Sequence, residues 1–116
     1  MSSIEIIEKK SRFIAYASRI SSEDEDKVFI DEKTHEHKKA RHIVFAYVLS
    51  NIEKHSDAGE PRGTAGLPVL NSIKRRGLCG VIVVVVRYFG GILLGKGGLI
   101  RAYGKAAGKA LESLQN

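Results

Sequence analysis

The chain has 116 residues, 43% hydrophobic and 28% charged, a length and composition typical of one globular domain. Its single cysteine excludes an internal disulfide and a Cys-x-x-Cys metal or redox site. The net charge of +6 is unevenly distributed: residues 1–60 contain 10 basic and 12 acidic side chains, residues 61–116 contain 9 basic and one acidic. This asymmetry favours an anionic partner for the second half, although cations that only maintain solubility are the alternative.

Targeting signals do not stand out in the sequence. Residues 1–10 lack the continuous apolar stretch of a signal peptide. The apolar run Gly80–Val86 is too short to cross a bilayer as a helix. The sequence therefore predicts a single domain over residues 1–116, located in the cytoplasm and without membrane contact.

Two strands separated by a helix are predicted in the first half. Arg12–Ile20 and His42–Leu49 are rich in β-branched and aromatic residues, as strands are. Between them, Ser22 and Glu25 form a capping box that begins a helix. The polar stretch Asn51–Gly63 predicts a loop or a ragged edge strand.

The second half predicts two more helices around one strong strand. A helix is expected over Thr64–Arg76, with Thr64 as its cap, followed by a strand of β-branched residues over Val81–Val86. Leu99–Leu114 has the apolar spacing of a helix. Gly104 and Gly108 inside it lower helix propensity, so we expect another backbone to pack closely there.

This element order predicts an α+β or α/β domain with one small sheet and about three helices. Two strands are apolar on both faces, and three helices are too few to cover both sides of a sheet. We therefore expect something else to cover the second face, and a homodimer is the simplest candidate.

The stretch GGILLGKG, Gly90–Gly97, resembles the phosphate loop of nucleotide hydrolases. That motif requires Ser or Thr after its lysine to hold Mg²⁺, and here the residue is Gly97. In addition, the predicted strands end toward Arg19, Ser50 and Arg87, so none ends in the aspartate of a Walker-B strand. Nucleotide hydrolysis is therefore disfavoured.

Two interpretations of this loop remain open. Gly95, Gly97 and Gly98 free the backbone to direct several N–H groups toward an anion at a helix start. Side chains that can add positive charge are Lys96, Arg87 and Arg101. Alternatively, the glycines only permit a tight turn from strand to helix.

A second candidate site is the loop His55–Gly66. Asp57 and Glu60 are two carboxylates in a glycine-rich segment, and together with His42 they are the candidates for acid–base chemistry. Against this chemistry, Asp and Glu in loops are usually solvated or capping residues. Arg62 and Thr64 would contribute to an anion site where this loop enters a helix.

The remaining polar groups carry little chemistry. His35 and His37 are two positions apart on a predicted helix, so they point in different directions and do not share a metal. Cys79 is predicted to be a buried small residue rather than a nucleophile. The sequence predicts no metal site and no cofactor.

Several long segments, in the same order, resemble the IMPACT/YigZ family across essentially the whole chain. They are KKSRFIAYAS (Lys9–Ser18), the strand His42–Tyr47, SDAGEPRGTAGLPVLN (Ser56–Asn71) and VVVVRYFGGILLGKGGLIRAY (Val83–Tyr103). The resemblance implies a two-layer α+β fold with a small mixed sheet, similar to the second domain of a small-subunit ribosomal protein and to domain four of elongation factor G. Eukaryotic members carry an additional N-terminal domain, bind a ribosome-associated activator and thereby restrain the kinase that phosphorylates initiation factor 2.

The family pattern also implies a set of functional residues in this chain: His42, Asp57, Glu60, Thr64, Arg87, Lys96 and Arg101. Three positions depart from it. Ala58 replaces a second acidic residue, which weakens any metal or acid–base scheme. Arg62 replaces a serine and adds positive charge, and Leu93 replaces a common lysine.

These observations favour a translation-associated regulatory or binding protein without catalytic activity, whose basic second half binds RNA, the ribosome or a ribosome-associated protein. The alternative is an enzyme that acts on a small phosphorylated or carboxylated substrate. Its groove would lie between the loops before Thr64 and Leu99, where Glu60 or Asp57 pairs with Arg87 or Arg101. A scaffold that only dimerises and holds a protein partner is a third possibility.

Overall fold

The computed structural model describes residues 2–115, which form five strands and three helices. In chain order these are β1 (Ser2–Glu8), β2 (Ser11–Arg19), α1 (Glu23–Glu36), β3 (His42–Val48), β4 (Glu53–Ser56), α2 (Gly66–Arg75), β5 (Val81–Tyr88) and α3 (Gly95–Gln115). The predicted α+β class is confirmed. None of the helices in this part of the chain combines the length and apolar character needed to cross a membrane.

The strands form one sheet in the order β1-β2-β5-β3-β4, and each neighbouring pair is antiparallel. The prediction of a mixed sheet is wrong. A helix between two strands suggests that those strands become parallel neighbours. Here β2 and β3, which flank α1 in sequence, do run parallel, but β5 inserts between them and pairs antiparallel with both.

The main core lies between the sheet and helices α2 and α3. Alternate residues of β5, such as Val83 and Val85, point to this side and are fully buried. Helix α3 presents a row of small side chains that allows close packing: Ala102, Ala106, Ala107 and Ala110. These two helices and the sheet position the site described below.

The opposite sheet face is covered by helix α1. Phe29 of α1 packs in a second cluster with Ile82, Val84 and Val86 of β5. The domain therefore has three layers, and the two-layer prediction is wrong. Because α1 occupies the face that prompted the homodimer prediction, the fold itself does not require a second copy.

Strand β1 was not predicted. It joins β2 through a turn in which Lys9 and Lys10 adopt positive φ angles of 46° and 68°. Such turns usually carry Asn-Gly or Asp-Gly, so Lys-Lys gives no sequence signal. Gly90 lies against this turn, and a Cβ there would be 2.0 Å from the Lys10 carbonyl oxygen.

Three smaller expectations are also corrected. A Cβ on Gly104 would meet nothing within 4 Å, and one on Gly108 would meet the Arg76 side chain at 3.3 Å, so no backbone packs against either glycine. Cys79 is exposed rather than buried. Helix α3 begins at Gly95, so Lys96 and the next two glycines form its first turn instead of preceding it.

Candidate functional site

A groove of about 450 Å³ lies where β5 leaves the sheet and the chain turns into α3. Three segments form its walls: residues 59–61 of the loop before α2, residues 93–96 before and at the start of α3, and Arg41 with His42 at the start of β3. The expectation that the two glycine-rich loops share one groove is confirmed.

Glu60 and Arg87 form a buried ion pair beneath this groove. One guanidinium nitrogen of Arg87, Nη1, donates to both carboxylate oxygens of Glu60 at 3.0 and 2.7 Å. Both residues are less than one tenth exposed. The sequence left open whether Glu60 or Asp57 pairs with Arg87 or Arg101, and the structure shows Glu60 with Arg87. The positive charge of Arg87 is thus offset within the protein.

Two further side chains form hydrogen bonds with this ion pair. The Tyr103 hydroxyl donates to Glu60 Oε2, and Ser11 Oγ accepts from Nε and Nη2 of Arg87 at 3.4 and 3.3 Å. Burial raises the pKa of Tyr103, and its hydrogen bond to the Glu60 carboxylate adds to the shift. Tyr103 is therefore held as a hydroxyl donor and is not poised to act as a base.

His42 lies on the other side of Glu60. Its Nδ1 donates to the Ala58 carbonyl oxygen at 2.8 Å, because a carbonyl only accepts. Its Nε2 is 3.4 Å from Glu60 Oε1. Strand β3, loop 57–65, strand β5 and helix α3 thus each contribute one polar side chain to a single cluster.

Asp57 does not join this cluster, because it caps helix α2. Its carboxylate accepts from the backbone N–H groups of Gly63, Ala65 and Gly66 at 2.9, 3.2 and 2.8 Å. Burial tends to raise the pKa of Asp57, but these three hydrogen bonds together outweigh it and the pKa is lowered. Helix α2 begins at Gly66 with no side-chain cap from its own N-cap residue, Ala65.

The predicted anion-binding residues do not converge on one site. Gly95 and Lys96 line the groove, whereas Gly98 and Arg101 line another cavity of about 290 Å³ beside Glu8 and Lys9. Thr64 is buried and donates its hydroxyl to the Pro61 carbonyl. Arg62 and Gly97 are exposed but do not line the groove.

The groove rim has a mixed basic and apolar character. Phe89 is 37% exposed, and its ring lies 5.1 Å from the guanidinium carbon of Arg41 and 5.5 Å from that of Arg87. Leu93, on the rim nearby, is 81% exposed. Lys96 projects from the first turn of α3 at the same opening. The arrangement can hold a flat, negatively charged ligand over a neutralised floor.

Sequence reasoning missed several of these residues. Arg41 and Phe89 were not singled out, because their proximity depends on β3 and β5 pairing in register. Ser11 gives no signal by itself. Tyr103 does give one: a tyrosine on the buried face of a helix needs a partner for its hydroxyl, and a carboxylate in a glycine-rich loop is a good candidate.

The fold and the groove define a class of protein: small α+β domains in which two glycine-rich loops close over a buried acid–arginine pair. The profile of the Impact N-terminal domain matches residues 9–111. The chain therefore belongs to the IMPACT family, as the sequence resemblance indicated.

Curated relatives from several bacteria are similar over most of the chain. The IMPACT family member YvyE of Bacillus subtilis is 49% identical over 113 residues, 95% of this chain and 52% of the relative. The IMPACT family member YigZ of Escherichia coli is 42% identical over 111 residues, 91% of this chain and 54% of the relative. The chain spans about half the length of these curated relatives.

Two solved structures have similar folds. A crystal structure described as that of a hypothetical protein superposes with a TM-score of 0.93 at 40% identity, over 96% of this chain and 56% of that one. The two-domain translational regulator Yih1 superposes with a TM-score of 0.62 at 26% identity, over 97% of this chain and 45% of that one.

Proposed function

We propose that this domain is a translation-related regulatory module that binds single-stranded RNA, ribosomal RNA included, in the groove between its two glycine-rich loops. The observation that carries the proposal is the rim, where an exposed phenylalanine lies among arginine side chains and opposite a helix-start lysine. The similarity to Yih1, a translational regulator, supports the translational setting.

The rim suits RNA because different groups in it can stack on a base and bind a phosphate. The ring of Phe89 and the guanidinium of Arg41 offer flat faces on which an unpaired base can stack. Lys96 adds a cation beside the N–H groups of the first turn of α3, where phosphate is favoured. In this scheme Glu60 and Arg87 support the groove and do not contact the ligand.

The test is RNA binding measured by fluorescence anisotropy at several salt concentrations. We expect affinity for a labelled single-stranded RNA to fall steeply with salt. Lys96→Glu should weaken binding and reduce the slope of log affinity against log salt by about one. Phe89→Ala should weaken binding by about tenfold without changing that slope, because stacking is not a counterion effect.

Lys109→Glu is the matched control, since Lys109 is an exposed lysine on the same helix, about 20 Å further along it. It should change affinity by less than about twofold at moderate salt. Equal losses in Lys96→Glu and Lys109→Glu would show that only overall charge matters. Absence of RNA binding at low salt would reject the proposal.

A second candidate, an enzyme acting on a small phosphorylated or carboxylated substrate, rests on the size of the groove and on His42 and Glu60 within it. A volume of about 450 Å³ suits a metabolite. It predicts thermal stabilisation by such a compound and a turnover that Glu60→Gln abolishes. Both Glu60 oxygens already accept hydrogen bonds from Arg87, which favours the binding role.

A further inference from the structure

A second cavity, of about 340 Å³, lies between helix α1 and strand β3, on the sheet face opposite α2 and α3. We call it the acidic cavity. Four carboxylates and two aromatic rings line it: Glu23, Asp24, Asp26, Asp31, Phe45 and Tyr47. Lys27 is the one cation among its lining residues. Neither the groove nor the proposed function uses this cavity.

Asp26 is the unusual residue of the acidic cavity. It is 1% exposed, and neither of its carboxylate oxygens has a hydrogen-bond partner. A buried carboxylate without a partner is costly, and buried polar groups are rarely left in this state. Burial, with Glu23 and Glu25 nearby, raises the pKa of Asp26 to about 6. The cavity wall therefore holds an acceptor whose donor is not supplied by the described residues.

The other residues that line the acidic cavity restrict the kind of hydrogen-bond donor that could bind beside Asp26. Glu23 is already engaged, since it accepts from the Tyr47 hydroxyl at 2.7 Å and pairs with Lys54 at 3.2 Å. Asp24 and Asp31 are exposed at the opening. The rings of Phe45 and Tyr47 are nearly parallel, with an interplanar angle of 13° and centroids 6.2 Å apart.

This combination fits an organic cation with a flat face. Among the described residues, no three acidic, histidine or cysteine side chains converge as metal ligands would. A guanidinium group stacks on aromatic rings and donates two parallel hydrogen bonds to one carboxylate. An ammonium group can make the charge contact but not the stacked, bidentate one.

We propose that the acidic cavity binds an arginine side chain from a basic segment of a partner protein. Phe45 is the stacking face, and Asp26 becomes the acceptor when its buried carboxylate rotates into the cavity. Asp24 and Asp31 attract the cation at the opening, and its guanidinium supplies the donors that Asp26 lacks. The site is independent of RNA binding, because it lies on the other side of the sheet.

The test is titration of the intact chain with a capped hexa-arginine peptide and with the hexalysine peptide of equal charge. We expect the arginine peptide to bind several-fold more tightly and to shift the amide resonances of residues 23–31 and 45–47. Asp26→Asn preserves side-chain shape and should weaken arginine-peptide binding by about tenfold. Asp31→Asn, an exposed change at the opening, should weaken it by a smaller factor.

Glu32→Gln provides the matched control. Glu32 is an exposed acid on the same helix that does not line this cavity, so its loss should change affinity by less than about twofold at moderate salt. The proposal is overturned if Glu32→Gln weakens binding as much as Asp26→Asn, or if both peptides bind equally. Self-association of the chain that Asp26→Asn abolishes would assign the cavity to a second copy and would also overturn it.

Discussion

Glu60 joins several elements of this structure, since its carboxylate contacts side chains from β3, β5 and α3. Replacing it with glutamine leaves the Arg87 guanidinium buried without a counter-charge, which is far more costly than losing an exposed ion pair. We expect Glu60→Gln to lower the free energy of unfolding by about 3 kcal/mol, measured by urea denaturation at neutral pH.

Glu112→Gln is the comparison for that experiment. Glu112 is 69% exposed at its side chain and lies 3.8 Å from Arg76, and exposed pairs of this kind contribute less than about 1 kcal/mol. A Glu60→Gln variant no less stable than Glu112→Gln would mean that water reaches Arg87 and replaces the lost charge. The groove floor would then not be the rigid support described above.

Unlike Glu60, the ionised carboxylate of Asp26 destabilises the folded state. This direction follows from its raised pKa. The pKa is raised from 3.8 to about 6 on folding, so the folded state binds the proton more tightly than the unfolded state. Stability should therefore fall as pH rises from about 4 to about 6 and stay reduced above that. We expect Asp26→Asn to be more stable than the parent by roughly 2 to 3 kcal/mol at pH 7.

Denaturation curves at pH 4 and pH 7 check this prediction. The advantage of Asp26→Asn should nearly vanish at pH 4, where the parent aspartate is protonated. Asp31→Asn should show no comparable gain at pH 7, because Asp31 is exposed. An Asp26→Asn variant less stable than the parent at pH 7 would indicate that the carboxylate has a partner in solution, and would remove the basis for an unsatisfied acceptor.

At the scale of elements, helix α3 contains glycines whose roles differ. A Cβ on Gly104 would meet nothing within 4 Å, so Gly104→Ala should stabilise the protein by about 1 kcal/mol through helix propensity. Gly95 has a φ of +74° at the start of the same helix, so Gly95→Ala should destabilise it by about 1 kcal/mol. Thermal unfolding of both variants measures whether each substitution raises or lowers the unfolding temperature. If Gly104→Ala lowers it, the space beside Gly104 is not open as the structure shows.

The elements also show how far the sequence can be interpreted alone. Strands β2, β3 and β5 and all three helices were predicted, because each has a clear apolar pattern or cap. Strand β1 was missed because its Lys9–Lys10 turn lacks turn residues. The layer arrangement was wrong because covering the second face depends on where α1 packs, which its sparse apolar residues do not indicate.

The candidate site was predictable to a similar extent. A groove shared by the two loops, and a pairing of Glu60 or Asp57 with Arg87 or Arg101, followed from residue types, element order and family resemblance. The role of Asp57 did not, because its partners are backbone N–H groups six to nine residues later. The separation of Arg101 from Lys96 did not follow from the sequence either, since it depends on where α3 begins. Because both residues lie in α3, five positions apart, their side chains lie on different faces of the helix.

The whole molecule separates its charges between two sides of the sheet. Basic and apolar groups of the rim lie at the opening between β5 and α3, whereas the acidic residues of α1 surround a cavity on the opposite face. Opposite charges on opposite faces allow an anionic and a cationic partner to bind without competing for space.

This separation predicts that the two binding events are energetically independent. The test is a double-mutant cycle with Lys96→Glu and Asp26→Asn, run near physiological salt to suppress long-range charge effects. We expect no energetic coupling between the two sites across the sheet. RNA affinity should respond to Lys96→Glu alone, and hexa-arginine affinity to Asp26→Asn alone. In both assays the double variant should equal the sum of the single effects within about 0.5 kcal/mol.

Each outcome of this cycle separates the two proposals. RNA binding that survives Lys96→Glu, while the peptide still responds to Asp26→Asn, would reject the groove and retain the acidic cavity. If Lys96→Glu weakens RNA binding but Asp26→Asn leaves peptide binding unchanged, the acidic cavity is rejected and the groove is retained. A coupling energy above about 1 kcal/mol in either assay would show that the sheet transmits changes between its faces, since α1 and α3 both pack against β5. The domain would then couple its two partners instead of binding each one separately.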